Sequence, residues 1–325
     1  MDENSTTSKR KLAIISNSMR ASMQACAQKC EFEHIMRRVP IMTALPLAMG
    51  TVFHAGTEAI NSGKPWQPVI DAASLDVGLE SAYDQAKLEG MLTCYEAMYA
   101  PRGDIEFLEH EKRIDAPVVN PLTGKKSRTW TFAGRMDALI RMKGKKWIFE
   151  TKTTSSDISP GASFWQMQFM QPQGKLYIAA LRNGGGEHSD VAGIVYDVAR
   201  KPDVKPLLAT PIEKRKYNKD GSLSKRCRLQ DESVAQYKSR VVQKIMDNPE
   251  AYFQRHILEV ENTRDAEFNL WNVAKSINSS KKAGIFPKNS GHCFKWNRPC
   301  QYFDVCSGNA SIDDPALFRD GKARY

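Results

Sequence analysis

The stretch GRMDALIRMKGKKWIFETKTT, residues 134–154, constrains this chain more than any other. Thr129 to Phe132, Ala138 to Ile140 and Trp147 to Phe149 are rich in β-branched, aromatic and apolar residues, and Lys143-Gly144 is a turn signal. If those two residues form the loop of a hairpin, Asp137 lies directly across from Glu150, with Cβ atoms roughly 5 Å apart. Side chains alternate along a strand, so Glu150 and Lys152 emerge on one side and Thr151 turns away. Two carboxylates and an ammonium then converge on one face, an oxygen-rich site suited to Mg²⁺ or Mn²⁺ with a cation beside it. The same residues would also serve a solvated hairpin braced by cross-strand ion pairs, so the rest of the chain has to decide.

Upstream, Gly50-Thr51-Val52-Phe53-His54 opens a segment of helical period in which His54 and Glu58 share a face. Neutral imidazole is a good ligand for Mn²⁺. Downstream, Gln173 and Tyr177 share a face of a helix that starts at Pro172 and stops at the glycines 184 to 186. A second strand, VAGIVYDVA, follows.

Gly134, Asp137, Glu150 and Lys152 resemble the PD-(D/E)xK nuclease superfamily, and the surrounding sequence is similar to its RecB-type branch. Gly50 to His54 resembles that branch's Gly-Thr-x-x-His element, and Gln173 with Tyr177 its Gln-x-x-x-Tyr element. The resemblance spans residues 18–306 and its motifs fall in the family's order. It implies an α/β fold, a restriction-endonuclease-like core with a mixed central sheet flanked by helices. It implies a metal-dependent DNA exonuclease with two Mg²⁺ or Mn²⁺ ions held by His54, Asp137, Glu150 and the Thr151 carbonyl. Lys152 would assist the nucleophile, and Gln173 and Tyr177 would position the nucleic acid. Glu106 matches an acidic residue that the family often carries before the hairpin and is a candidate supporting ligand, with its neighbours Glu109 and Glu111 as alternatives.

Of seven cysteines, Cys293, Cys300 and Cys306 lie together in CFKWNRPCQYFDVC. Three thiolates from one loop leave a tetrahedral site one ligand short, so the fourth must come from elsewhere, and four thiolates suit Zn²⁺ or an iron–sulfur cluster. Cys26, in CAQKC, resembles the early Cys-Pro-x-Lys element of iron–sulfur RecB-type nucleases, with Ala27 in place of the proline. That likeness implies a 4Fe-4S cluster on Cys26, Cys293, Cys300 and Cys306, joining the N- and C-terminal parts, with Cys30 competing as first ligand. Disulfides are disfavoured by the odd count and by a polar start without a signal peptide's apolar stretch. Cys94 and Cys227 read as ordinary thiols.

The net charge of +10, from 47 Lys+Arg against 37 Asp+Glu, suits a polyanionic partner. Much of the excess falls in residues 201–230, expected as a basic β-hairpin with its tip at Asp220-Gly221. There Lys214, Arg215, Lys216, Lys225 and Arg226 would meet phosphates and Tyr217 a base. Residues 231–247 and 263–278 carry the apolar stripes of core helices. No apolar run reaches 18 residues and no phosphate-binding Walker loop is present, so neither a membrane span nor a fused helicase motor is expected.

The expected organisation is a flexible N-terminus (1–17), one nuclease domain (18–310) and a tail (311–325). Within the domain, 18–100 is helical, 101–200 forms the catalytic sheet, 201–230 the basic insertion, and 231–310 helices and the cysteine cluster. Expected partners are single-stranded DNA or duplex ends and recombination proteins, in a cytoplasmic setting. A recombination accessory module with little turnover and a structure-specific endonuclease are the competing readings.

Overall fold

One long strand, β4 (Lys126–Met142), organises the sheet. In the computed structural model, which describes residues 12–99, 103–295 and 298–321, β4 forms a hairpin with β5 (Lys145–Thr154). Lys143 and Gly144 both take positive φ, 50° and 73°, as a two-residue hairpin turn with right-handed strand twist demands. The pairs run from Met142↔Lys145 to Ala138↔Phe149, the register expected from the sequence. On its other side β4 pairs along nearly its whole length with antiparallel β3 (Glu106–Val119). The expected strands at 129–132 and 138–140 are therefore parts of one strand.

Two strands share the remaining edge of β4. β1 (Ala13–Ile15) lies parallel to Trp130–Phe132, and β5 covers Ala138–Met142. Beyond β5 the sheet continues with parallel β6 (Gly193–Arg200) and antiparallel β7 (Phe253–Glu259). All but the last residue of β6 are buried, as a strand covered on both faces requires. The catalytic-sheet segment expected at 101–200 thus also recruits β1 and β7 from outside those bounds.

Helices cover both faces. On one lie α1 (Asn17–Ala25), α7 (Pro172–Asn183) and α9 (Arg264–Ala283), packing Met19, Ile178, Leu270 and Ile277 onto Phe132, Ile148 and Ile194. On the other, α3 (Leu45–Asn61), α4 (Gln67–Val77), α5 (Ala82–Tyr99) and α8 (Val234–Met246) bury Phe53, Ile70, Leu92, Tyr95 and Val241. Each such side chain contributes about 1.5–3 kcal/mol by leaving water. Gly56 lets α3 approach α5, since a Cβ there would stand 2.5 Å from Leu92. The α8 start is fixed by a capping box between Ser233 and Gln236. Among the described residues no helix is long and apolar enough to cross a membrane.

The chain ends depart from expectation. Residues 1–11 of the expected flexible N-terminus lie outside the described residues, but Ala13–Ile15 joins the sheet. In the expected tail, Phe318–Asp320 pairs with β2 (Arg38–Pro40), and residues 322–325 lie outside the described residues. The basic segment is not a β-extension. It is mostly irregular, with a short 3-10 turn at Ile212–Lys214 and one isolated bridge, Tyr217↔Leu223, around a tip at Gly221. Side-chain caps within the loop, such as Ser222 N–H and Oγ to Asp220, replace the missing ladder.

Gly134 of β4 lies under the Tyr177 ring, and a Cβ there would stand 2.4 Å from Cε1. Gly134→Ala should therefore destabilise the protein by about 2 kcal/mol through overpacking. Urea unfolding checks this, and Tyr177→Ala in the same chain should recover part of the loss.

Candidate active site

The site sits where the β4–β5 ladder opens. β1 leaves β4 after Phe132 and β5 leaves it before Ala138, so Ala133–Met136 pair only with β3. Asp137 is the first β4 residue beyond the β5 pairing, next to Glu150 in the same register. Its Oδ2 accepts the Thr151 N–H at 2.8 Å, a backbone donor past the end of the ladder. Parallel pairing with β6, Glu150↔Tyr196 to Lys152↔Val198, keeps β5 in place after it leaves β4.

Glu150 is 4% exposed. Its Oε1 accepts from Lys152 Nζ at 2.5 Å and from Gln173 Nε2 at 2.8 Å, while Oε2 is buried without a hydrogen-bond partner. Gln173 also bonds Tyr177 Oη at 3.2 Å and receives a long contact, 3.5 Å, from Lys152. Tyr177 is itself buried, against Gly134 and Phe132, so it fixes the amide of Gln173 from the core instead of standing open to a ligand. From α3, His54 Nδ1 reaches to 3.4 Å of Asp137 Oδ2.

The charges are set by burial and by each other. Burial, then the charge of Asp137, pushes the Glu150 carboxyl up against the pull of Lys152. Burial would also raise Asp137, but His54, Lys152 and the Thr151 N–H outweigh it and hold this carboxyl low. Lys152 is desolvated too, yet Glu150 and Asp137 hold its ammonium charged.

His54, Glu58, His110, Glu111, Asp137 and Thr151 line a small open cleft beside this cluster. Of the three acids Glu106, Glu109 and Glu111 that the sequence offers for a supporting ligand, Glu106 is exposed and paired to Arg141 near the hairpin turn. The acid that reaches the site is Glu111. A bulge between Phe107 and Glu109 shifts the register so that Glu111 falls across β4 from Asp137. Glu111 has φ 46°, a conformation that costs a non-glycine residue about 1–3 kcal/mol. Burial, then the charges of Asp137 and Glu58, raises its pKa. Glu58, on the same helix face as His54, lines the same cleft.

Cys26, Cys293, Cys300 and Cys306 lie in neighbouring segments, where Cys306 feels the other three. Cys293 and Cys300 flank the hairpin of β8 (Phe294–Lys295) and β9 (Arg298–Pro299), with Cys300 N–H donating to Cys293 O at 2.7 Å. Cys306 lies on α10 (Phe303–Ser307), and Cys26 precedes α2 (Ala27–Cys30) and accepts the Asn289 N–H. Burial raises the Cys306 thiol, with Cys26, Cys300 and Cys293 adding to it. Cys30 points elsewhere: it is fully buried, contacts Met19 O, and burial pushes its thiol up to about 12. Cys94 is buried against Val242 O, and Cys227 accepts the Lys216 N–H, as ordinary thiols do.

Among the described residues no group of three or more His, Cys, Asp or Glu stands at metal-binding spacing. The donor chemistry at Asp137 and Glu150 nevertheless fits a hard cation, because a buried carboxylate oxygen without a hydrogen bond is costly unless a cation takes it.

The family model described as the PD-(D/E)XK nuclease superfamily matches residues 16–307, most of the chain. No curated protein matches it.

Lys152→Met should strand the buried Glu150 charge and cost about 2 kcal/mol of stability at neutral pH. Glu150 already titrates above its ordinary value, so its ionisation destabilises the fold, and that cost disappears as pH falls through its folded pKa. The variant's deficit in urea unfolding should therefore shrink on acidification, and Glu150→Gln in the same chain should relieve it at every pH.

Proposed function

The chain belongs to the PD-(D/E)XK nuclease superfamily, and from that premise we propose a metal-dependent DNA exonuclease of the RecB-like branch, acting on single strands or duplex ends. The observation that carries the reading is the buried Glu150 carboxylate, with one oxygen unpartnered and Asp137 and Lys152 beside it. Two Mg²⁺ or Mn²⁺ ions would be held by His54, Asp137, Glu150 and the carbonyl of Thr151. Glu111 takes the supporting role. When bound, such ions lower the pKa of a water and polarise the phosphoryl oxygen.

The chain's own groups supply the rest. Lys152, beside Glu150, would orient the attacking water, help deprotonate it, or offset charge on the phosphorane-like transition state. Gln173 fixes the Lys152–Glu150 pair in place, and Tyr177 holds Gln173. Lys214, Arg215, Lys216, Lys225 and Arg226 contact DNA phosphates, with the exposed Tyr217 stacking on a base. This segment leaves the sheet at the catalytic end of β5, where Lys201 N–H donates to Thr154 O.

Cys26, Cys293, Cys300 and Cys306 would hold a 4Fe-4S cluster, with Zn²⁺ as the alternative, and the full burial of Cys30 against Met19 O supports this set over one using Cys30. The setting is cytoplasmic DNA recombination, repair or phage DNA processing, alongside recombination proteins.

Asp137→Ala or Lys152→Ala should reduce Mn²⁺-dependent degradation of labelled linear DNA by at least a thousandfold. Wild-type rates in the purified Asp137→Ala protein would overturn the assignment. A circular single strand should resist the enzyme; cutting it would establish an endonuclease. Anaerobically purified protein should be brown and Cys300→Ser should lose the colour and the iron, whereas a colourless zinc-containing protein would select the other metal.

A further inference from the structure

The corner between α6 (Ser163–Phe169) and α7 overhangs the catalytic row. Tyr196 of β6 is the register partner of Glu150. From above, Gln168 bonds Tyr196 and the Phe169 ring lies 6.3 Å from the Tyr196 ring. Five residues beyond Gln168, Gln173 bonds Glu150. Met170 lies between these two anchored glutamines and is 78% exposed, and Met167, one helical turn earlier, is 58% exposed.

Their outward aim is fixed. The inner face of α6 is pinned by Trp165, which is buried, stacks on His256 at 3.9 Å and donates its Nε1–H to Ile158 O at 2.8 Å. A helix anchored so firmly presents its two thioethers to solvent by construction, on the rim of a site otherwise built from charged and amide groups. Methionine is soft, polarisable and favourable against aromatic rings. A strand whose phosphate reaches Lys152 and Glu150 carries its bases past this rim, and the chain's net charge of +10 favours such a polyanion over an acidic-surface-free protein partner.

We propose that Met167 and Met170 form an apolar shelf on which the base beside the scissile phosphate packs. The inference rests on the nuclease reading and deepens it: the favoured substrate offers an unstacked base, as a single strand or a frayed duplex end does. A base held in the duplex stack has no face free for the shelf, so a blunt, GC-rich end is disfavoured.

The test uses the full chain, without divalent metal so that nothing is cleaved, and single-stranded oligonucleotides carrying 2-aminopurine near the end. Wild-type protein should change the 2-aminopurine emission on binding. Met167→Ser with Met170→Ser should lose that change and weaken binding about three- to tenfold, somewhat less than loss of an aromatic stack. Binding of an abasic oligonucleotide should stay as in wild type, and so should the melting temperature, since both side chains are exposed. Unchanged emission and affinity in the double variant would overturn the shelf. Equal weakening toward the abasic probe would also overturn it, as would loss of self-association by sedimentation with emission intact, which would make the patch a contact between copies. Because no turnover is measured, a failed shelf leaves the metal chemistry untouched, and an inactive enzyme that still shows the emission change would count against the nuclease reading alone.

Discussion

A carboxylate buried to 96% must be compensated, and the compensation of Glu150 determines how the elements around it are placed. Lys152 supplies the charge, Gln173 the second hydrogen bond and Tyr177 the support for Gln173, drawing β5 and α7 to one point. Gly134 in β4 is the space that lets Tyr177 come near enough to do this. The opening of the β4–β5 ladder at Asp137 then leaves two acidic groups beside one ammonium, with a single carboxylate oxygen unsatisfied. A stable fold would avoid such an oxygen. Leaving it unpaired lowers the stability of the fold at this point.

Much of this was legible because hairpin register is rigid. A two-residue turn at Lys143-Gly144 allows no slack, so the facing of Asp137 and Glu150 followed from arithmetic along the strand. The helix starting at Pro172 and the stripes of α8 and α9 were equally local signals. His54 was placed by resemblance, because its approach to Asp137 depends on how α3 crosses the sheet, which no local pattern records.

The misreadings have physical reasons as well. EFLEHEKR offers three acids within six residues, and only the bulge after Phe107 selects which one meets Asp137. A bulge and a left-handed glutamate leave no mark in composition. The basic segment was right in its charge and wrong in its form, since the Asp220-Gly221 turn closes a single bridge and the flanking chain is held by side-chain caps. Cys26 and Cys30 could not be told apart by spacing, because burial of the Cys30 thiol against the Met19 carbonyl depends on how the surrounding helices pack.

The pairing of Arg38–Pro40 with Phe318–Asp320 has a temporal consequence. A ribosome delivers those partners some 280 residues apart, and β1 likewise waits for Trp130. Such distant closures are slow and come late. The nascent chain therefore carries Asp137, Glu150 and Lys152 well before its two ends can be sewn together, and a truncated translation product is left without that seam.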